Sequence, residues 1–190
     1  MIDKLYIITG ANGQMGSYLV EKFAPDPTIQ MLLLYNNRID RIEKLLDSMR
    51  QKNLLQTADS YADITEPGIS PILKSCDLAD YNKTKEIIEN VLIQYSSQKI
   101  YLAHTASIRS YDARPLSDGD PDLWLEIFTK NVKTAYNMLR ILLPHMRARA
   151  FGRIVMFGSN VTKWGLKNGS AYAAAKTAMV NLVKSCSLEN

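Results

Sequence analysis

The sequence is sparing with cysteine, histidine and tryptophan, with two of each in 190 residues. Cys76 and Cys186 lie far apart and form no CxxC pair. That argues against a disulfide framework or a dithiol redox motif, and fits two reduced, buried thiols. No metal-ligand spacing stands out, and no metal is expected. Apolar runs never approach the ~20 residues needed to span a bilayer. The N-terminus runs from Met1-Ile2-Asp3-Lys4 straight into an apolar strand, without the charged leader and cleavage site of a secretory signal. Net charge is +4 and the pI about 9.0, yet no cationic stripe forms. The densest basic group, Arg147, Arg149 and Arg153, falls at a helix–strand junction. These absences predict a soluble, cytoplasmic protein that binds neither nucleic acid nor membrane.

What remains is an ordinary globular composition, 46% hydrophobic and 22% charged, in a chain long enough for one domain over residues 1–190. Apolar runs alternate with helical stretches. Leu5–Thr9, Ile29–Tyr35, Ile72–Ser75, Ile100–Ala103 and Arg153–Phe157 read as five strands. The second is too continuously apolar to have a wet face. Between them fall a helix carrying Tyr18, Leu19, Val20 and Phe23, ended by Pro25 and Pro27, and one with Ile39, Ile42, Leu45, Leu46 and Met49 at helical spacing. Asp80 is placed to cap a third helix, which buries Ile87, Ile88, Val91 and Leu92. A long helix over 122–143 is expected to stop at Pro144, and an alanine-rich one covers Tyr172–Leu188. Buried strands alternating with helices predict an α/β doubly wound parallel sheet, a Rossmann fold with strand order 3-2-1-4-5. Residues 54–70 lack periodicity and read as an inserted surface loop.

Three motifs carry chemistry. Thr9-Gly10-Ala11-Asn12-Gly13-Gln14-Met15-Gly16 joins the first strand to the first helix, where glycines let the backbone approach a pyrophosphate at the helix N-terminus. The second strand ends in Tyr35-Asn36-Asn37-Arg38, with no acid before Asp40. An acid there would bond the adenosine ribose of NAD, whereas Arg38 can pair with a 2′-phosphate, so NADP(H) is favoured over NAD(H). Finally, Tyr172 and Lys176 stand four residues apart on one helix face. An ammonium beside the phenol stabilises the phenolate and makes the tyrosine an acid–base catalyst near neutrality. Ser159 follows the fifth strand at its carboxyl end, where open α/β sheets place their sites.

Taken together, Gly152-Arg153-Ile154-Val155-Met156-Phe157-Gly158-Ser159, Ala171-Tyr172 through Lys176-Thr177-Ala178, Asn131 in Lys130-Asn131-Val132, and Asp77-Leu78 resemble the short-chain dehydrogenase/reductase superfamily over essentially the whole chain. The Ser159-to-Tyr172 separation resembles that of the compact branch. The resemblance implies an oxidoreductase that moves hydride between a nicotinamide nucleotide and a carbonyl or alcohol. It implies Tyr172 as proton donor, Lys176 as modulator of Tyr172 and holder of the nicotinamide ribose, Ser159 at the developing oxyanion, and Asn131 seating a relay water. Asp77 and Leu78 correspond to the pair beside the adenine, and Thr105 and Ala106 fall in the loop after the fourth strand. A homodimer or homotetramer is implied through the long helix and the Tyr172 helix.

The sequence departs from the compact pattern in three places. Its glycines are spaced Gly10-x-x-Gly13-x-x-Gly16, as in the extended branch that handles nucleotide sugars, with Gln14 where the compact branch has its middle glycine. His104-Thr105-Ala106-Ser107 replaces the usual Asn-Asn-Ala-Gly, and His104 reads as a packing or supporting residue. Family members continue into two further strands and a substrate-binding segment, so the resemblance implies a C-terminally truncated chain whose fifth strand is an open edge. A nucleotide-sugar epimerase, dehydratase or reductase and an inactive nucleotide-binding fragment are the competing readings.

Overall fold

The computed structural model describes residues 2–52, 71–96, 98–109, 111 and 113–190. The proposed insertion over 54–70 lies outside them. Five strands, β1 (Lys4–Thr9), β2 (Ile29–Tyr35), β3 (Ile72–Ser75), β4 (Lys99–His104) and β5 (Gly152–Met156), form one sheet in the order β3-β2-β1-β4-β5. Every pairing is parallel, as the sequence predicts. Helices α1 (Gln14–Phe23), α2 (Ile39–Gln51), α3 (Tyr81–Gln94), α4 (Pro121–Ala148), α5 (Val161–Trp164) and α6 (Ser170–Glu189) connect and cover the strands.

Alternate residues of a strand face opposite sides of the sheet, and here both sides are covered. Leu5, Ile7, Leu32, Leu34, Ile100 and Leu102 meet Ile88 and Val91 of α3 and Met138 and Leu142 of α4 in one core. Ile8, Met31 and Leu33 meet Val20 of α1 and Ile42, Leu45 and Met49 of α2 in the other. Continuous apolarity in β2 is therefore two interleaved faces, each with its own helices. Of the three consecutive alanines in α6, Ala175 is fully buried, with Ala171 and Met179 on the same side, the face that suits close packing on α4.

Two local expectations had different outcomes. Asp80 caps α3, its carboxylate accepting from the Lys83 N–H at 3.1 Å. The long helix does not stop at Pro144 but runs through it to Ala148. Proline at 144 removes the donor to the Arg140 carbonyl. Both residues lie on the solvent face, where water can satisfy that carbonyl. Meanwhile Met146 is buried against the core and holds the last turn in place. No helix among the described residues is long and apolar enough to cross a membrane.

Candidate active site

The glycine loop is built by close backbone approach. Gly10 takes φ +63°, and its carbonyl accepts from the Gly13 N–H at 2.8 Å. A Cβ on Gly16 would stand 2.2 Å from the Gly10 oxygen, so only glycine lets α1 begin this close to the turn. The start of α1 has no side-chain cap and no acid in its first turn, leaving backbone donors directed toward an incoming anion. Two side chains fix the loop to its neighbours. Asn12 Nδ2 donates to the Asn37 carbonyl at 2.6 Å, and Thr105 Oγ1 donates to the Thr9 carbonyl at 2.6 Å.

The carboxyl ends of β1 to β4 open into a cleft of about 360 Å³. Gly10, Asn12, Gly13, Asn36, Asn37, Arg38, Asp77, Leu78, Thr105 and Ala106, all expected from the sequence, line it. Gln14, Met15 and Gly16 do not. Gln14 and Met15 are exposed on the first turn of α1, and Gly16 is buried behind the loop. The cleft also takes in Arg41, Cys76, Lys130 and Thr134, which sequence reasoning missed. Each stands on a segment whose ends carry recognised residues, but nothing in its own pattern marks it.

Two buried asparagines of α4 hold the cleft walls. Asn137 Nδ2 donates to the Leu78 carbonyl at 2.8 Å, fixing the turn after β3. The Asn131 amide oxygen accepts from Ser107 Oγ at 2.9 Å and from the Ile108 N–H at 3.0 Å. Its NH₂ donates to the Ile108 and Ile127 carbonyls at 3.0 and 2.7 Å. That amide is saturated, and its visible work is to hold the loop after β4.

Arg38 opens α2 in the left-handed conformation, φ +66°. Its guanidinium pairs with Asp40 through Nε–Oδ1 at 3.1 Å and Nη2–Oδ2 at 3.2 Å. The pair is exposed, so solvent screens it and it holds the guanidinium only weakly.

Toward the other end of the sheet, Lys176 is only 3% exposed. Its Nζ donates to the Phe157 carbonyl at 2.9 Å, just past β5, and lies 5.7 Å from the centroid of the Tyr172 ring. Burial pushes the Lys176 pKa down from its ordinary value. Ser159 sits at the entry to α5. Among the described residues its Oγ makes two long contacts, with Asn160 Oδ1 and the Val161 N–H, each at 3.4 Å. Lys176 thus joins the Tyr172 ring to the chain just past β5, Ser159 lies two residues further along that segment, and none of the three lines the cleft. His104, ending β4, is 1% exposed and bonds Thr9 Oγ1 through Nδ1 at 3.0 Å.

A parallel sheet, a glycine turn at the first strand–helix junction and a cleft across the strand ends define a Rossmann fold. The chain belongs to the short chain dehydrogenase family, whose model matches residues 4–190. Among curated proteins it is similar to oxidoreductase UcpA of Escherichia coli K12, with 30% identity over the whole chain and 64% of that protein. A Drosophila melanogaster dehydrogenase/reductase SDR family protein 7-like is 27% identical, over 93% of the chain and 49% of the relative. The chain thus spans less than two thirds of the length of these relatives. Among solved structures, NAD⁺-bound xylitol dehydrogenase superposes with TM-score 0.81 at 23% identity, over 98% of the chain and 64% of the other. A metagenomic short-chain oxidoreductase in complex with NADP gives TM-score 0.80 at 20% identity, over 99% and 77%. At that identity the likeness supports the fold.

Proposed function

We propose that the protein is an NADPH-preferring oxidoreductase that interconverts a small carbonyl compound and its alcohol. The observation that carries this reading is the buried Lys176 ammonium, fixed by the Phe157 carbonyl and set over the Tyr172 ring. The cleft suits a dinucleotide. Its glycine turn tolerates no side chain at Gly16, the uncapped start of α1 suits a pyrophosphate, and Asp77 and Leu78 lie where an adenine would rest. When bound, the nicotinamide supplies or accepts the hydride.

The chain's own residues manage the proton and the developing charge. Tyr172 gives its phenolic proton to the carbonyl oxygen as that atom gains the electron pair, leaving alcohol and phenolate. Lys176 stabilises the phenolate, because a cation in a desolvated site acts far more strongly than one in water. Ser159 donates a hydrogen bond to the same oxygen. Asn131 positions the loop after β4 and so acts at a distance. Arg38 and Arg41 line the adenosine end, where no carboxylate closes β2, and together favour a 2′-phosphate. We place the protein in the cytoplasm as a homodimer. Leu125 and Tyr136 of α4 and Val180 of α6 leave apolar surface exposed for a partner copy, a point that solution mass tests.

The reading is tested by following NADPH oxidation with a panel of small ketones and titrating NADPH and NADH by fluorescence. Ketone-dependent oxidation is expected, with NADPH bound more tightly by about tenfold or more, the worth of one charge-assisted contact. No ketone-dependent oxidation would contradict the activity. Equal affinities, or an undiminished preference in Arg38→Ala, would contradict the cofactor assignment.

A further inference from the structure

His104 is a buried ionisable group that the proposed chemistry does not use. It sits between the glycine loop and Lys176. Its side chain bonds Thr9 Oγ1 at 3.0 Å, and its carbonyl accepts from the Phe157 N–H at 3.4 Å. The Phe157 carbonyl in turn receives the Lys176 ammonium at 2.9 Å. One residue, Phe157, therefore links the backbone of His104 to the Lys176 head group. The other ring nitrogen, Nε2, is buried and has no partner among the described residues.

Thr9 decides where the imidazole proton is. Thr9 is fully buried, and its Oγ1 already accepts from the Ala106 N–H at 3.3 Å. Its own O–H proton finds one acceptor among the described residues, His104 Nδ1. With the imidazole proton on Nε2, the Thr9 hydroxyl is satisfied and a single group, the Nε2–H, lacks a protein partner. With the proton on Nδ1, that N–H donates to Thr9 Oγ1, and both the Thr9 O–H and the Nε2 lone pair are left unsatisfied. Buried polar groups are overwhelmingly hydrogen-bonded, so the first tautomer is the native one.

An Nε2–H shut off from bulk solvent needs an acceptor. Lys176 is a second donor, with N–H groups beyond the one that Phe157 accepts. A water can accept from two donors at once and is the smallest group that satisfies both. We propose that His104 is a positioning residue for Lys176, its Nε2–H donating to a buried water that also accepts from the Lys176 ammonium. The water's oxygen holds the ammonium in its charged form, which in turn stabilises the Tyr172 phenolate. Burial, and then the Lys176 charge, lower the His104 pKa to about 3, so the imidazole stays a neutral donor throughout the working pH range. Lys176 on α6 is the charged group acting on it. Thr9 and Ala106, which make the hydrogen-bonded contact on its other side, carry no charge.

This inference rests on the Tyr172–Lys176 reading, but its first test does not require turnover. The chain has two histidines, so ¹⁵N-histidine NMR with a His145→Gln variant for assignment reports the ring directly. The expected result is a protonated Nε2 and a bare Nδ1 from neutral pH down to about pH 4. A protonated Nδ1 overturns the proposal, whether or not the protein reduces ketones.

Substitution then separates support from packing. Asparagine places a polar group where Nδ1 stood and keeps the Thr9 contact, whereas glutamine places its amide nitrogen where Nε2 stood. In His104→Asn the acid limb of alcohol oxidation, which needs the phenolate, is expected to move up by roughly one pH unit, tenfold in rate on that limb. His104→Gln restores the position of that limb. An unchanged limb in His104→Asn, or the same shift in both variants, overturns the proposal.

Discussion

Replacing Gly16 with alanine strains the glycine loop harder than any other single methyl group. The new Cβ would lie 2.2 Å from the Gly10 oxygen and 2.8 Å from the Ala11 Cα, against about 3.5–4.0 Å for comfortable carbon contact. Both obstructing atoms are backbone, so neither moves aside by changing rotamer. Overpacking of this kind costs about 1–3 kcal/mol, occasionally more. The gain in helix propensity from glycine to alanine offsets about 0.5–1 kcal/mol. The net loss, up to about 2.5 kcal/mol, lowers Tm by up to roughly 10 °C for a domain of this size. Because the methyl group pries the start of α1 from the turn, NADPH affinity should fall at least tenfold. Gly158→Ala is the control, since a Cβ there meets nothing within 4 Å and should change stability by less than about 0.5 kcal/mol. Differential scanning calorimetry and fluorescence titration read both quantities. A Gly16→Ala protein as stable and as tight-binding as the parent would refute the close-approach argument.

Further predictions follow from the supports of the cleft. Asn137→Ala leaves the Leu78 carbonyl without its 2.8 Å donor and should cost about 1–3 kcal/mol in urea unfolding, with weakened nucleotide binding. Asp80→Ala removes the α3 cap and should cost about 1 kcal/mol without altering cofactor choice. The depressed pKa of His104 makes stability depend on pH. The folded form resists a proton that the unfolded chain accepts near the ordinary value of 6.5, so stability is full above that pH and falls as pH drops toward about 3. Urea unfolding of His104→Asn between pH 7 and 4 should show a shallower decline than the parent.

The fold was legible because its strands are buried on both faces. Ile7 and Ile8 enter different cores, and such runs with helices between them leave few alternatives to a parallel sheet. Asp80 was legible because a cap acts within three residues. Pro144 misled because the penalty for a helical proline depends on whether the freed carbonyl reaches water, which is a tertiary property. The same holds at the site. Gly10, Gly13, Tyr172 and Lys176 stand in motifs whose spacing can be read directly along the chain. Arg41, Cys76, Lys130 and Thr134 reach the cleft only because the sheet order brings β1 to β4 side by side. The bonds of the Asn131 amide to Ser107 and Ile108 show only when the loop after β4 is seen against α4. Asn137 carries no sequence signal, since an asparagine inside an amphipathic helix looks the same whether it is solvated or holding a distant carbonyl.

We propose that Tyr172, under the influence of Lys176, carries the proton in a nicotinamide-dependent carbonyl reduction. The most direct measurement is ketone-dependent NADPH oxidation by Tyr172→Phe beside the parent, with cofactor affinity measured on the same samples. Phenylalanine keeps the ring and its packing and removes only the ionisable hydroxyl. Loss of general acid catalysis is expected, about 10²–10⁴-fold in kcat, with NADPH affinity changed by no more than a few-fold. Turnover within a few-fold of the parent in Tyr172→Phe would contradict it.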